Sequence, residues 1–289
     1  MYDIARKNLS FLMSARPWLE PERLAEVEAQ RMVMRDGQTI TSYLTWPAGP
    51  RTKLPLVVLP HGGPRDRDSL QFDAMAQAMA SQGWLVVQPN FRGSSGYGRA
   101  FAEAGYRQWA GAMQDDVTDT VTHLIGQGVV DPQRVVILGG SYGGYSALAG
   151  AVVTPTLYRA AASIAGVTDL PELMKWHAKE DGRDSPVYET LVERIGDPSK
   201  DKAALEAASP RRRAAEIQIP VLLIHGKLDG IVPIRQSQLM AKALKKARKQ
   251  VSTMEVIGEG HSGWSSENEI KAINAVIGFF EPHMKAPAP

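Results

Sequence analysis

The chain has no cysteine among its 289 residues, which excludes a disulfide scaffold, a cysteine nucleophile and thiolate zinc sites together. Neither sign of charge is in excess: 22% of residues are charged and the formal net charge is +2. The two basic runs, Arg211-Arg212-Arg213 and Lys245-Lys246-Ala247-Arg248-Lys249, lack the interleaved aromatics of a nucleic-acid surface. They read as solvated helix faces and ends, and no nucleic-acid partner is expected. No hydrophobic run reaches the roughly 18 residues of a membrane span, so no membrane partner is expected either. The opening segment carries Asp3, Arg6 and Lys7 without a long apolar stretch, unlike a secretory signal, and the expected location is cytoplasmic. The sequence also lacks H-E-x-x-H, G-x-x-x-x-G-K-[ST] and a G-x-G-x-x-G after a strand. Zinc, nucleotide-triphosphate and dinucleotide chemistries are therefore unsupported, and no metal or cofactor is expected.

What is present is enough apolar residue, 44%, to bury one substantial core. Apolar strands and amphipathic helices alternate. Arg31–Met34 and Thr39–Trp46 flank the turn Asp36-Gly37 and predict an antiparallel hairpin at the start. Strands are then expected at Leu54–Leu59, Trp84–Gln88, Val135–Leu138, Ala160–Ala165, Pro220–Gly226 and Val251–Ile257. Helices are expected at Ser69–Gln82, Met113–Gln127, Ile234–Lys246 and Glu267–Phe280, with Asp115 and Asp116 as dipole-compensating charges in the second. Leu170–Ala208 reads as an insertion. Such alternation implies an α/β fold, a mostly parallel, doubly wound sheet covered on both faces.

The chemistry concentrates in Gly139-Gly140-Ser141-Tyr142-Gly143, a G-x-S-x-G run between an apolar strand and a small-residue helix. A serine hydroxyl projects as a nucleophile from such a sharp turn only if glycines flank it. Downstream, Pro220–Gly226 runs into Lys227-Leu228-Asp229-Gly230, and Val251–Ile257 runs into Gly258-Glu259-Gly260-His261. Ser141, Asp229 and His261 thus follow in the order nucleophile, acid, base of an α/β-hydrolase, each on a loop at a strand's carboxyl end. His261 takes and returns the proton; Asp229 fixes its tautomer. His225, at the end of a buried strand, reads as a core or supporting histidine. Leu54–Pro60 leads into His61-Gly62-Gly63-Pro64, and the amides of Gly63 and Tyr142 are the expected oxyanion donors.

These motifs, with Asn90-Phe91-Arg92-Gly93-Ser94-Ser95-Gly96-Tyr97-Gly98 and Ser209-Pro210, span roughly residues 54–280. Together they resemble the catalytic domain of the prolyl oligopeptidase family of serine peptidases, nearest in pattern to its acylaminoacyl-peptidase-like branch. The resemblance implies an α/β-hydrolase sheet of about eight strands with an antiparallel start, the triad Ser141, Asp229 and His261, and a Gly63/Tyr142 oxyanion hole. It leaves two readings of His61: ordering the glycine loop, or donating to the oxyanion where some relatives place a tyrosine. Two departures stand out. The family's N-terminal β-propeller has no counterpart in this length, although Tyr2–Leu12 resembles its last strand; the chain reads as a catalytic fragment or a stand-alone form. Ile231 stands where some acylaminoacyl peptidases carry an arginine.

The expected organisation is an extension over 1–50 that includes the hairpin, a catalytic domain over 51–284 and a frayed tail over 285–289. Tyr145, Leu170, Leu173, Trp176 and Trp264 are candidates for an apolar acyl pocket. Arg92 reads as pinning neighbouring loops. The expected activity is hydrolysis of short peptides or N-acylated amino acids through an acyl-enzyme. The alternatives are a carboxylesterase on short acyl esters and, from another class, a catalytically silent binding protein. The expected partner is a small peptide or ester substrate, with self-association as a further possibility.

Overall fold

The structure is a computed structural model and describes residues 2–11 and 16–286. Leu12 of the opening segment and 287–289 of the tail, both addressed above, lie outside the described residues. At the start, β1 (Tyr2–Asp3) and β2 (Asn8–Leu9) form a separate antiparallel pair whose Tyr2, Ile4 and Leu9 are exposed.

The main sheet is built from β3 (Glu26–Val33), β4 (Thr39–Trp46), β5 (Leu54–Val58), β6 (Leu85–Asn90), β7 (Val130–Gly140), β8 (Ala161–Ile164), β9 (Val221–Gly226) and β10 (Val251–Val256). Its eight strands lie in the order β10-β9-β8-β7-β5-β6-β4-β3. Pairing is parallel from β10 to β6 and antiparallel at β4 and β3. The helices are α1 (Ala74–Ala80), α2 (Arg99–Glu103), α3 (Ala112–Gly126), α4 (Tyr142–Val153), α5 (Leu170–Glu180), α6 (Pro186–Arg194), α7 (Lys202–Ala207), α8 (Arg235–Lys246) and α9 (Ser266–Met284).

Because strand side chains alternate, each central strand feeds two cores. Leu56, Val58, Val135, Ile137 and Leu223 pack on one face with residues of α3, α4, α5 and α8. Val57, Val136, Leu138, Leu222 and Ile224 pack on the other with Ala76 and Met79 of α1 and Val276 and Phe280 of α9. Helix α4 is buried on nearly every side, which its glycines and alanines permit. It starts at the sheet's centre, and that is where the elbow serine is delivered.

Several local expectations change. The helix expected over Ser69–Gln82 is only Ala74–Ala80, because the Asp73 carboxylate accepts the Ala76 N–H at 2.8 Å and starts the helix there. Asp116 does more than compensate a dipole: it is fully buried and accepts three bonds from Arg92, at 2.8, 2.8 and 2.6 Å. Arg92 also reaches Asp36 at 2.7 Å, so it ties the β3–β4 hairpin to α3. Asp115 pairs with Arg35 at 3.1 Å. The basic run at 211–213 is turned partly inward: Arg211 and Arg212 converge on the buried carboxylate of Asp169, at 2.6 and 2.8 Å. No helix among the described residues is long and apolar enough to cross a membrane.

Candidate active site

β7 ends at Gly140 and α4 begins at Tyr142, so Ser141 alone makes the turn. Its φ of 55° lies in a region that costs a non-glycine residue about 1–3 kcal/mol, tolerated only where the surroundings over-determine it. Here they do. The Ser141 amide donates to Ile164 O at 2.9 Å, and its carbonyl accepts the Tyr145 amide at 3.0 Å. A methyl group on Gly143 would lie 2.0 Å from Pro60 O, so the first turn of α4 packs directly on the backbone beyond β5.

That packing brings the His61-Gly62-Gly63-Pro64 loop beside the elbow. A methyl on Gly62 would stand 3.5 Å from Ser141 Cβ, and Gly63, Pro64, Ser141 and Tyr142 line one cavity. The Tyr142 amide opens α4 and has no intrahelical acceptor. Gly63 has a φ of 109°, and its peptide bond to Pro64 is cis. His61 does not line the cavity. Its Nε2 lies 2.8 Å from Ser94 Oγ and its ring stacks on Phe91 with centroids 4.4 Å apart. Burial lowers its pKa to about 4, so the ring is a neutral brace for the glycine loop.

Asp229 and His261, the expected acid and base, meet across two loops. Asp229 Oδ2 accepts from His261 Nδ1 at 2.7 Å, and Oδ1 accepts from the Ile231 and Val232 amides at 2.9 and 2.8 Å. His225 Nε2 also approaches Oδ2, at 3.1 Å. Burial opposes ionisation of Asp229, but the donors from His225, His261, Ile231 and Val232 outweigh it and hold the carboxyl well below the usual range. A proton on His261 Nδ1 leaves Nε2 as the basic nitrogen. Among the described residues no hydrogen bond joins that nitrogen to Ser141 Oγ. In enzymes without substrate this contact is often long and tightens in the Michaelis complex. Ile231 and Val232, whose amides hold Asp229, themselves line the cavity that contains Ser141.

The cavity measures about 120 Å³. Trp109, Val167, Leu173, Leu191, Ile195 and Ile231 give it an apolar wall, with His177, Thr190 and Arg194 at its polar side. Of the five apolar candidates, Leu173 lines it and four do not. Tyr145 is fully buried beneath, its hydroxyl donating to Ala208 O at 2.8 Å. Leu170 points into the core at the start of α5. Trp176 packs edge-on against His177. Trp264 Nε1 donates to Gly260 O at 2.9 Å, propping the histidine loop. The wall that sequence reasoning missed comes from Trp109 and from α6. Trp109 is buried and stacks edge-on against Tyr142, centroids 4.7 Å apart. No group of metal-ligating side chains occurs among the described residues.

Comparison with known proteins gives a consistent result. The model of the prolyl oligopeptidase family matches residues 70–287. The chain is 37% identical over 290 residues to dipeptidyl aminopeptidase BIII of Pseudoxanthomonas mexicana, a match covering 95% of this chain and 41% of that protein. It is 27% identical to the human acylamino-acid-releasing enzyme, covering 86% of this chain and 34% of that one. Among solved structures, a puromycin-hydrolysing peptidase of Mycobacterium tuberculosis superposes with a TM-score of 0.85 at 30% identity, covering 93% of this chain and 41% of that one. The chain therefore spans from a third to about two fifths of the length of these relatives.

Proposed function

The chain belongs to the prolyl oligopeptidase family, and on that premise we propose that it is a serine peptidase cleaving short peptides or N-acylated amino acids through an acyl-enzyme on Ser141. Ser141 Oγ attacks the carbonyl carbon while His261 Nε2 takes its proton. The oxyanion forms against the Gly63 and Tyr142 amides, the imidazolium protonates the departing amine, and water repeats the cycle on the ester. One observation carries this reading. A strained serine, a glycine loop and the backbone that holds Asp229 share a single cavity, while Asp229 orients His261. The names of the relatives favour amide substrates.

A carboxylesterase is the second reading, favoured by the apolar Ile231 in the cavity wall, at the position where some acylaminoacyl peptidases carry an arginine. It needs the same residues and less leaving-group protonation. Ser141→Ala is expected to lower turnover by about 10⁴-fold or more and to abolish labelling by a fluorophosphonate; persistent labelling would move the nucleophile elsewhere. Comparing kcat/KM on matched p-nitroanilide and p-nitrophenyl substrates separates the two readings. Appreciable anilide turnover marks a peptidase, and turnover of esters alone sinks that assignment.

A further inference from the structure

Two imidazoles share one carboxylate oxygen. His225, the penultimate residue of β9, is 1% exposed and has no part in the acyl-transfer scheme above. Its Nε2 lies 2.8 Å from Val232 O and 3.1 Å from Asp229 Oδ2. A carbonyl and a carboxylate only accept, so Nε2 carries the proton and donates to both. Its Nδ1 lies 2.7 Å from Ser237 Oγ on α8; with the ring neutral, the hydroxyl donates to Nδ1. Asp229 Oδ2 also accepts from His261 Nδ1 at 2.7 Å. A hydrogen-bonded chain therefore runs from Ser237 through His225 and Asp229 to His261.

We infer that His225 is a positioning residue of the active site: its Nε2–H shares Asp229 Oδ2 with His261, holds the carboxylate in one rotamer and limits the negative charge presented to the base. The inference rests on the reading of Ser141, Asp229 and His261 as the catalytic set. Its physical content is a competition. A carboxylate oxygen that accepts two donors is a weaker acceptor for each, so removing the His225 donor strengthens its hold on a protonated His261. The base then stays protonated to higher pH.

Other charges face His225 from the elements packed on it. Glu255 of β10 is paired with Lys227 at 3.5 Å. Lys242 and Lys245 of α8 line, with His225, Ser237 and Glu255, a groove of about 340 Å³. All four charges are unaltered in the variants below, so a change in the pH profile reports the His225 bond.

The experiment compares kcat/KM against pH, with thermal unfolding, for the wild type, His225→Phe, His225→Gln and Ser237→Ala on one p-nitrophenyl ester. Phe keeps the ring volume and removes the donor; Gln restores an N–H. In His225→Phe the acidic limb is expected to move up by about half a pH unit, a threefold change in the dissociation constant, and His225→Gln should recover most of it. Ser237→Ala frees the tautomer, should move the limb the same way by less, and decides the question if His225→Phe does not fold. A limb that stays in place in every folded variant, with only the melting temperature lowered, would reduce His225 to a packing residue. Ser141→Ala, assayed alongside, separates the two failures. If it retains turnover, the catalytic assignment itself falls; if it is inactive and the limb does not move, the His225 inference falls alone.

Discussion

Asp68, a few residues beyond the glycine loop, shows how much a single side chain's behaviour depends on its surroundings. Burial first, then the charges of Asp73 and Asp66, push its carboxyl up to about 7 against the opposing donor of Gln88. Its Oδ2 is buried without a hydrogen-bond partner. Since the folded pKa lies above the unfolded one, the stability tied to the neutral form is fully present below about pH 4 and is lost as pH rises through about 7. Asp68→Asn is therefore expected to stabilise the fold by roughly 2–4 kcal/mol at pH 8, with the gain shrinking towards pH 4. Urea unfolding at several pH values checks this; a gain independent of pH would contradict it. His61 has the opposite sign, because its pKa is depressed to about 4 and stability falls as pH drops from about 6.5 through that value. Across the shared window the two slopes oppose each other. At this scale the sequence was informative where geometry is local. Ser141 stands between glycines after an apolar run, and Asp229 and His261 follow strands in the same way. The state of Asp68 was not legible, since residues distant in the chain bury it.

At the scale of elements, the contact between β9 and the histidine loop is made backbone to backbone. A methyl group on Gly226 would lie 2.3 Å from Gly260 O and 2.6 Å from Glu259 O. Just beyond, the Lys227 amide donates to Val256 O at 2.9 Å and the Leu228 amide to Glu259 O at 2.8 Å. Gly226→Ala should leave the sheet formed but push the loop that carries His261 outward. Misplacement by about 1 Å can cost a hundredfold in rate, so kcat/KM is expected to fall by about that factor while the far-ultraviolet circular dichroism is kept. An unchanged rate would mean that the loop adapts freely. The central strands were readable as apolar runs because each feeds two cores, and α9 from helical spacing because it presents an apolar face to one. Helix α6 was not, although its Tyr188, Leu191 and Val192 recur at helical spacing and pack against the core without being fully buried, because it lies inside the 170–208 stretch read whole as an insertion. Yet its Thr190, Leu191 and Arg194 face the cavity. The inward turn of Arg211 and Arg212 was hidden likewise, because Asp169 lies about forty residues away in sequence.

For the whole molecule, the proposed function makes the size of the chamber beside Ser141 the determinant of which acyl group enters. A space of about 120 Å³ walled by Leu191, Ile195 and Leu173 suits a small apolar side chain on the acyl group. Truncating the wall with Leu191→Ala is expected to shift preference towards bulkier acyl groups by about 10- to 100-fold in relative kcat/KM. A panel of aminoacyl p-nitroanilides or acyl p-nitrophenyl esters of graded size measures it, and a preference that does not move would place the acyl group outside this chamber. The parallel, twice-covered character of the sheet was predictable from the alternation of strands and helices. The chamber's shape was not, because it forms where the α5–α6 segment meets the loops that follow β5, β8 and β9.

The tight seats of Gly143 on Pro60 and of Gly226 on the histidine loop have an evolutionary corollary. Where main chain rests on main chain, almost any replacement is punished, so the backbone that presents Ser141 and His261 is frozen. Helix α6, by contrast, meets the cavity through the partly exposed Thr190, Leu191 and Arg194, which tolerate exchange. Drift towards new substrates, or an engineer's library, should therefore succeed in the 186–194 stretch and fail at the glycines, leaving reactivity constant while preference changes.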